Sequence, residues 1–264
     1  YGLVLGGPDV SWVSTQHNLI ARAFLARLAD AIDGKVSSNG NGNGNENKCH
    51  GGLPGLSASQ ASLFSKQLRS AVALLDLGIN RALYVRLTPA TSSRGGNAGT
   101  AYLREGLADD ARPVDTQALG ALWLLGQGRS QDAQAVLNYA DQSMLIANRS
   151  VGLSSSPLTF NQTYSSAGPF VGYRPYADPG APDVLWMEGT LETRFAKQAL
   201  GDDTSTLDTS VAGWQAITGF SSGPLQADLA VVGNVFNEYH PWPDAAAAAW
   251  ELLNITSFSL LSGP

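Results

Sequence analysis

Two carboxylates stand where acid–base chemistry needs them. Glu188, in "LWMEGTLETRF", and Asp115, in "VDTQALGALWLLG", each fall in the first turn of a segment with helical periodicity. Hydrolysis of a glycosidic bond uses such a pair. One carboxyl donates a proton to the leaving oxygen, and the other activates water or attacks the sugar directly. Glu188 follows Trp186, whose indole can exclude water from a carboxyl and raise its pKa. Seven residues on lies Phe195, so Glu188 shares the inward face of its helix. A structural reading competes in both cases. An acid in a first turn answers the helix dipole, and Asp is a favoured N-cap, so "VDTQ" also reads as a plain helix start. For Asp244, behind Pro243, the dipole role is the simpler one.

Polar and aromatic residues cluster at other helix starts. "STQHN" sets Gln16, His17 and Asn18 side by side, where a cap would need one such group. "EYHPWP" gathers Tyr239, His240 and Trp242. Amides, imidazoles and a phenol suit sugar hydroxyls, and Trp12, Trp186 and Trp242 offer stacking faces. The expected substrate-binding residues are therefore Gln16, His17, Asn18, Trp186, Tyr239, His240 and Trp242. Trp123 and Trp250 lie inside apolar helix patterns and read as core. Cys49, beside His50, is the lone cysteine, and the two make no zinc site. With no phosphate-binding glycine motif and no Gly-x-Ser-x-Gly elbow, neither a metal nor a cofactor is expected.

These groups need helices to position them. The 3.6-residue period marks seven segments: about Thr15–Asp33, Ser59–Leu77, Asp115–Gly126, Ser130–Ala147, Trp186–Leu200, Thr204–Ile217 and Pro243–Leu261. In the first, Ile20, Phe24, Leu28 and Ile32 recur every four residues. Strand signals are weak: "RALYVRL" reads as a short strand or a helix end, and "VGYRPY" alternates, so only small hairpins within loops are expected. The links "GQGR" and "GDD" are short and carry glycine where a helix C-cap wants it, which forces antiparallel neighbours. Connections from even to odd helices are long. Residues 36–55, rich in Asn and Gly, read as a mobile loop insertion. The functional clusters all open odd-numbered helices. If the odd helices form an inner layer, their leading ends meet at one end of the fold.

"GGPDVSWVSTQHN", "VDTQALGALWLLG", "LWMEGTLETRFAKQALG" and "HPWPDAAAAAWELL" together resemble a bacterial-type family of helical toroid proteins similar to the six-hairpin glycosidases. The resemblance implies an all-α (α/α) toroid of antiparallel hairpins, with 1–264 as a single domain. It covers the C-terminal half of the family pattern. Seven helices make an incomplete ring, so an N-terminal half is expected in the same longer chain or in another chain. It also implies a carbohydrate-active protein, at the level of the superfamily. One departure stands out: the family's glutamate in Ser-Thr-Glu-His-Asn is Gln16 here, and an amide cannot act as acid or base.

Composition bounds the alternatives. The chain has 264 residues, 44% of them hydrophobic, enough for a sizeable core. A net charge of −6 without basic blocks argues against nucleic acid, and no apolar run is long enough for a membrane span. Sequons at Asn148, Asn161 and Asn254 point to a secreted or extracellular glycoprotein. The expected activity is glycoside hydrolysis of a poly- or oligosaccharide, with Glu188 as acid and Asp115 as base or nucleophile. The rival is a non-catalytic scaffold or sugar-binding component of an extracellular glycoprotein assembly, with a degenerate cleft.

Overall fold

In a computed structural model of the chain, the described residues are 2–5, 12–34, 55–88, 98–151, 167–218, 225–232, 238–240 and 244–256. Cys49, Asn161, Trp242 and nearly all of the Asn/Gly-rich segment lie outside them. Expected as one domain, the chain divides into two compact units, Tyr1–Leu83 and Tyr84–Pro264.

The first unit is a helical hairpin. Helix α1 (Thr15–Ile32) starts at Ser14, whose hydroxyl accepts from the His17 N–H. Helix α2 (Ala58–Gly78) starts with a capping box: the Ser57 hydroxyl accepts from the Gln60 N–H, and the Gln60 side chain accepts from the Ser57 N–H. Ion pairs show the two helices to be antiparallel, since Arg22 meets Asp76 while Arg69 meets Asp30 and Asp33. Between them lie Ala29, Ile32 and Leu68, with Leu25, Leu28 and Phe64 alongside. Ile20 and Phe24, expected in the inward stripe, are instead 52% and 64% exposed, and Leu19 and Ala23 are buried in their place. A strict spacing of four drifts about 40° per step around a 3.6-residue helix, so one stripe cannot stay inward. After α2 the chain widens into a π-helical turn, Ile79–Leu83.

The second unit holds five helices and two antiparallel hairpins. Strands β1 (Tyr84–Thr88) and β2 (Thr100–Leu103) pair ahead of helix α3 (Val114–Gly126). Helix α4 (Ser130–Met144) is followed by strands β3 (Leu145–Val151) and β4 (Ala167–Tyr173), then α5 (Met187–Leu200), α6 (Ser205–Thr218) and α7 (Ala245–Thr256). The all-α expectation is thereby corrected. The fold is mostly helical, with seven helices over the described residues of both units, and two small sheets occupy the connections from even to odd helices. Helix α4, expected to reach 147, stops at Met144 because Leu145 turns extended and joins the ladder with β4.

Helix α3 is apolar on every side because α4, α5 and β2 all pack on it. Helix α5 packs on α3 and on α7, while α4 packs against α3 and α6 against α5. Within the second unit the odd helices thus touch in succession. Glycine permits the closest approach: a Cβ on Gly189 would lie 2.4 Å from a methyl of Val114. Among the described residues no helix is long and apolar enough to cross a membrane.

One device recurs at three odd helices, always four residues beyond the N-cap. Asn18 donates to the Ser14 carbonyl (2.7 Å) and brackets the Val4 peptide, accepting its N–H at 2.8 Å and donating to its carbonyl at 3.1 Å. Gln117 donates to the Pro113 carbonyl (3.0 Å) and brackets the Leu103 peptide in the same way, at 2.8 and 2.7 Å. The Thr190 hydroxyl donates to the Trp186 carbonyl (2.7 Å) and accepts the Tyr173 N–H (3.0 Å). All three side chains are buried. Each ties the extended segment that precedes the helix to the first turn of that helix.

Replacing Gln117 with Leu leaves the Leu103 N–H and carbonyl buried without partners, at about 1–3 kcal/mol for each group. The expected outcome is a lower urea midpoint with an unchanged m-value, measured by far-UV circular dichroism.

Candidate functional site

The leading ends of α3 and α5 are built from shared strands of backbone. The Val114 N–H donates to the Pro175 carbonyl at 2.8 Å, and the Trp186 N–H to the Tyr173 carbonyl at 2.9 Å. Residues 225–240 close the other side: the Met187 N–H donates to the Gln226 carbonyl at 2.9 Å, and the Gln226 side chain accepts the His240 N–H at 2.9 Å. These bonds bring together the first turns of α3 and α5 and the Tyr239–His240 segment.

Asp115 and Glu188 occupy the same place in their helices, the second residue after the N-cap. Neither is the cap, since Pro113 and Trp186 hold those positions without side-chain cap bonds. Asp115 does take local bonds, accepting the Thr116 N–H at 2.6 Å as well as the Thr116 hydroxyl. Asp244 is the true cap of α7, accepting from the N–H groups of Ala246 and Ala247 at 3.3 and 3.2 Å. Its structural reading therefore stands.

Burial dominates the electrostatics. Glu188 is half-buried, and its pKa is raised to about 7, first by desolvation, then by Asp244 and Asp115. No hydrogen bond offsets these effects. Asp115 is raised to about 6 by desolvation, with the Thr116 N–H and hydroxyl pulling the other way. Both groups thus titrate near neutrality, which suits acid–base work.

Two acids overlooked in the sequence join them. Glu192, one turn beyond Glu188 on α5, is 1% exposed. Desolvation, then Asp115 and Glu188, push its pKa well up, and a hydrogen bond to the Trp250 side chain opposes this only weakly. Glu105, in the loop between β2 and α3, is raised to about 7 by desolvation and then by Asp109, Asp115 and Asp178. A spacing of four from Glu188, on the same face as Phe195, was the available signal for Glu192. Glu105 had none, because its position depends on a loop closed by the Glu105 N–H to Ala111 carbonyl bond at 2.7 Å.

The expected sugar-binding residues fare unequally. Trp186 is 9% exposed and Tyr239 1%, and the two rings meet edge-to-face at 6.1 Å within the core. Buried in this way, they offer no open stacking face. His240 is also buried, with Nε2 3.8 Å from the Glu238 carboxylate. In the first unit, Asn18 is the buried pin described above. Gln16, half-buried, is the second residue after its cap, the place that Asp115 and Glu188 take in theirs, while His17 is exposed with its ring 5.2 Å from that of Trp12.

Among the sequons, Asn148 is exposed on β3 with a positive φ of 71°. Asn254 is 7% exposed, and its amide nitrogen donates to the carbonyls of Leu191 and Trp250, at 3.3 and 2.8 Å. The expectation of a glycan at Asn254 is therefore corrected: that nitrogen is committed to the α5–α7 interface.

The chain matches no family model, no curated protein and no solved structure.

Raised carboxyl pKa values have a thermodynamic consequence. Between the ordinary glutamate value of 4.5 and about 7, the folded chain holds protons on Glu188 and Glu105 that the unfolded chain releases. Stability falls as pH rises through that window. Glu188→Gln is expected to raise the melting temperature at about pH 8 and to leave it nearly unchanged below about pH 4.5, as read by calorimetry.

Proposed function

We propose that the second unit carries a glycoside hydrolase-type site, in which Glu188 is the general acid and Asp115 the base or nucleophile acting on a poly- or oligosaccharide. The observation that carries this reading is the pair itself. Two acids stand at equivalent helix positions, Glu188 senses the charge of Asp115, neither is a helix cap, and burial holds Glu188 at about 7 and Asp115 at about 6. At slightly acid pH the first keeps its proton and the second has begun to lose its own, the division of labour that glycosidic cleavage requires. Successive contacts among α3, α5 and α7, with α4 and α6 on their partners, support an (α/α) toroid as the wider architecture. A complementary N-terminal half of the ring belongs to the same proposal.

The rival reading, a non-catalytic scaffold or sugar-binding component, draws on two observations. Trp186 and Tyr239 are buried in the core, and Gln16 stands where an acid would complete the series of residues second after the cap. The two readings separate in a reducing-end assay on neutral and charged polysaccharides. Sustained release of new ends that falls by about 10²–10⁴-fold in Glu188→Gln supports the enzyme. Binding without release supports the scaffold.

We also propose a secreted or extracellular location. Exposure of Asn148 supports it, and the test is peptide mapping of protein from a secreting eukaryotic host. A glycan is expected at Asn148 and none at Asn254.

A further inference from the structure

The first turns of α3 and α5 are held together twice over. At their entry, the Val114 and Trp186 N–H groups donate to the carbonyls of Pro175 and Tyr173, at 2.8 and 2.9 Å. Those carbonyls belong to residues two apart, so at most about 7 Å of chain separates the anchors. Just beyond, a glycine lets the helices close. A Cβ on Gly189 would meet a methyl of Val114 at 2.4 Å and the Trp186 ring at 2.6 and 2.8 Å. No Cβ fits at such distances unless a neighbour moves. Val114 is 0% exposed and Trp186 9%, so neither side chain can swing out into solvent.

The tight contact is flanked by one acid on each helix. Gly189 directly follows Glu188, and Val114 directly precedes Asp115. Gly120 and Gly213 also sit in close quarters, but against Leu103 of β2 and Phe170 of β4, whereas Gly189 meets a neighbouring helix. Glycine inside a helix costs stability relative to alanine. A buried acid near like charge costs stability too. Both costs fall on adjacent residues here, and packing alone asks for neither. The charge of Asp115 does reach Glu188, as close approach of the two first turns requires.

We propose that Gly189 is a positioning residue, whose missing side chain sets the separation of the Asp115 and Glu188 carboxyls. This rests on the reading of those two acids as a working pair and adds the element that spaces them. A glycosidic site depends on that spacing. Its carboxyls stand about 5–5.5 Å apart for direct attack and about 6.5–9.5 Å apart when water intervenes. Relieving the overlap at 2.4 Å with a methyl in place displaces a helix start by about 1 Å, and a misplacement of that size costs on the order of 100-fold in rate.

The test is an NMR titration of the full chain carrying isotope-labelled glutamate carboxyls, with the Glu188 signal assigned by its loss in Glu188→Gln. Asp115→Asn is expected to lower the Glu188 midpoint by about half a pH unit or more, because a neighbouring negative charge is gone. In a Gly189→Ala background the same replacement is expected to lower it by less than about half as much, since the carboxyls have moved apart. Should Gly189→Ala not fold, Val114→Ile presses on the same contact from α3 and takes its place, with the same expectation. An equal shift with and without the added bulk overturns the proposal: the glycine then serves packing alone, and the hydrolase reading stands. No shift from Asp115→Asn in the native background overturns both, because the two acids then act apart.

Discussion

The structure depends on one kind of hydrogen bond, made by a polar side chain one turn inside an odd helix. Asn18, Gln117 and Thr190 each take the backbone N–H of an extended segment and return a bond to the N-cap carbonyl of their own helix. Buried peptide groups outside regular ladders are costly unless satisfied. Without these side chains the chain entering the odd helices could not cross the core. Because two of the pins set the leading ends of α3 and α5, they also set Asp115 and Glu188, two residues earlier in each helix. The acids inherit their placement from amides and hydroxyls that take no part in their chemistry.

That dependence shows what could be read from residues alone. All seven helices follow from apolar periodicity, and the tight α5–α6 turn follows from Gly201, which sits at φ 87° as a left-handed C-cap. The hairpins were not legible beyond a hint. Strands of four to seven residues carry little periodicity, and β3 continues straight out of a helix. Nor did residue type separate ligands from struts. Asn18 beside His17 looks the same in sequence whether its amide meets a sugar or the peptide of Val4. Asp115 and Glu188 are legible as a pair of first-turn acids, although the helix dipole alone would also favour acids there. Glu192 was passed over because an acid one turn from another reads as a solvated face, and only packing against α7 and α3 removes the water.

Desolvation then does for the site what pairing does elsewhere. Arg149 and Arg194 pull back the burial-raised pKa values of Asp228 and Glu251, whereas Asp115 is raised by burial, and Glu105 and Glu188 by burial and neighbouring acids. Burial without a cation leaves protonation poised, at a cost in stability that the remaining core must offset.

Asn254 carries a different consequence. A sugar-transferring enzyme that acts on growing chains would meet this triplet before α7 has docked, when its nitrogen is still open. Once modified, the side chain could no longer bridge Leu191 and Trp250, and α7 would be barred from α5. In a host that carries out this transfer, maturation would be a race, with prompt seating of the last helix protecting the chain from being trapped half-assembled.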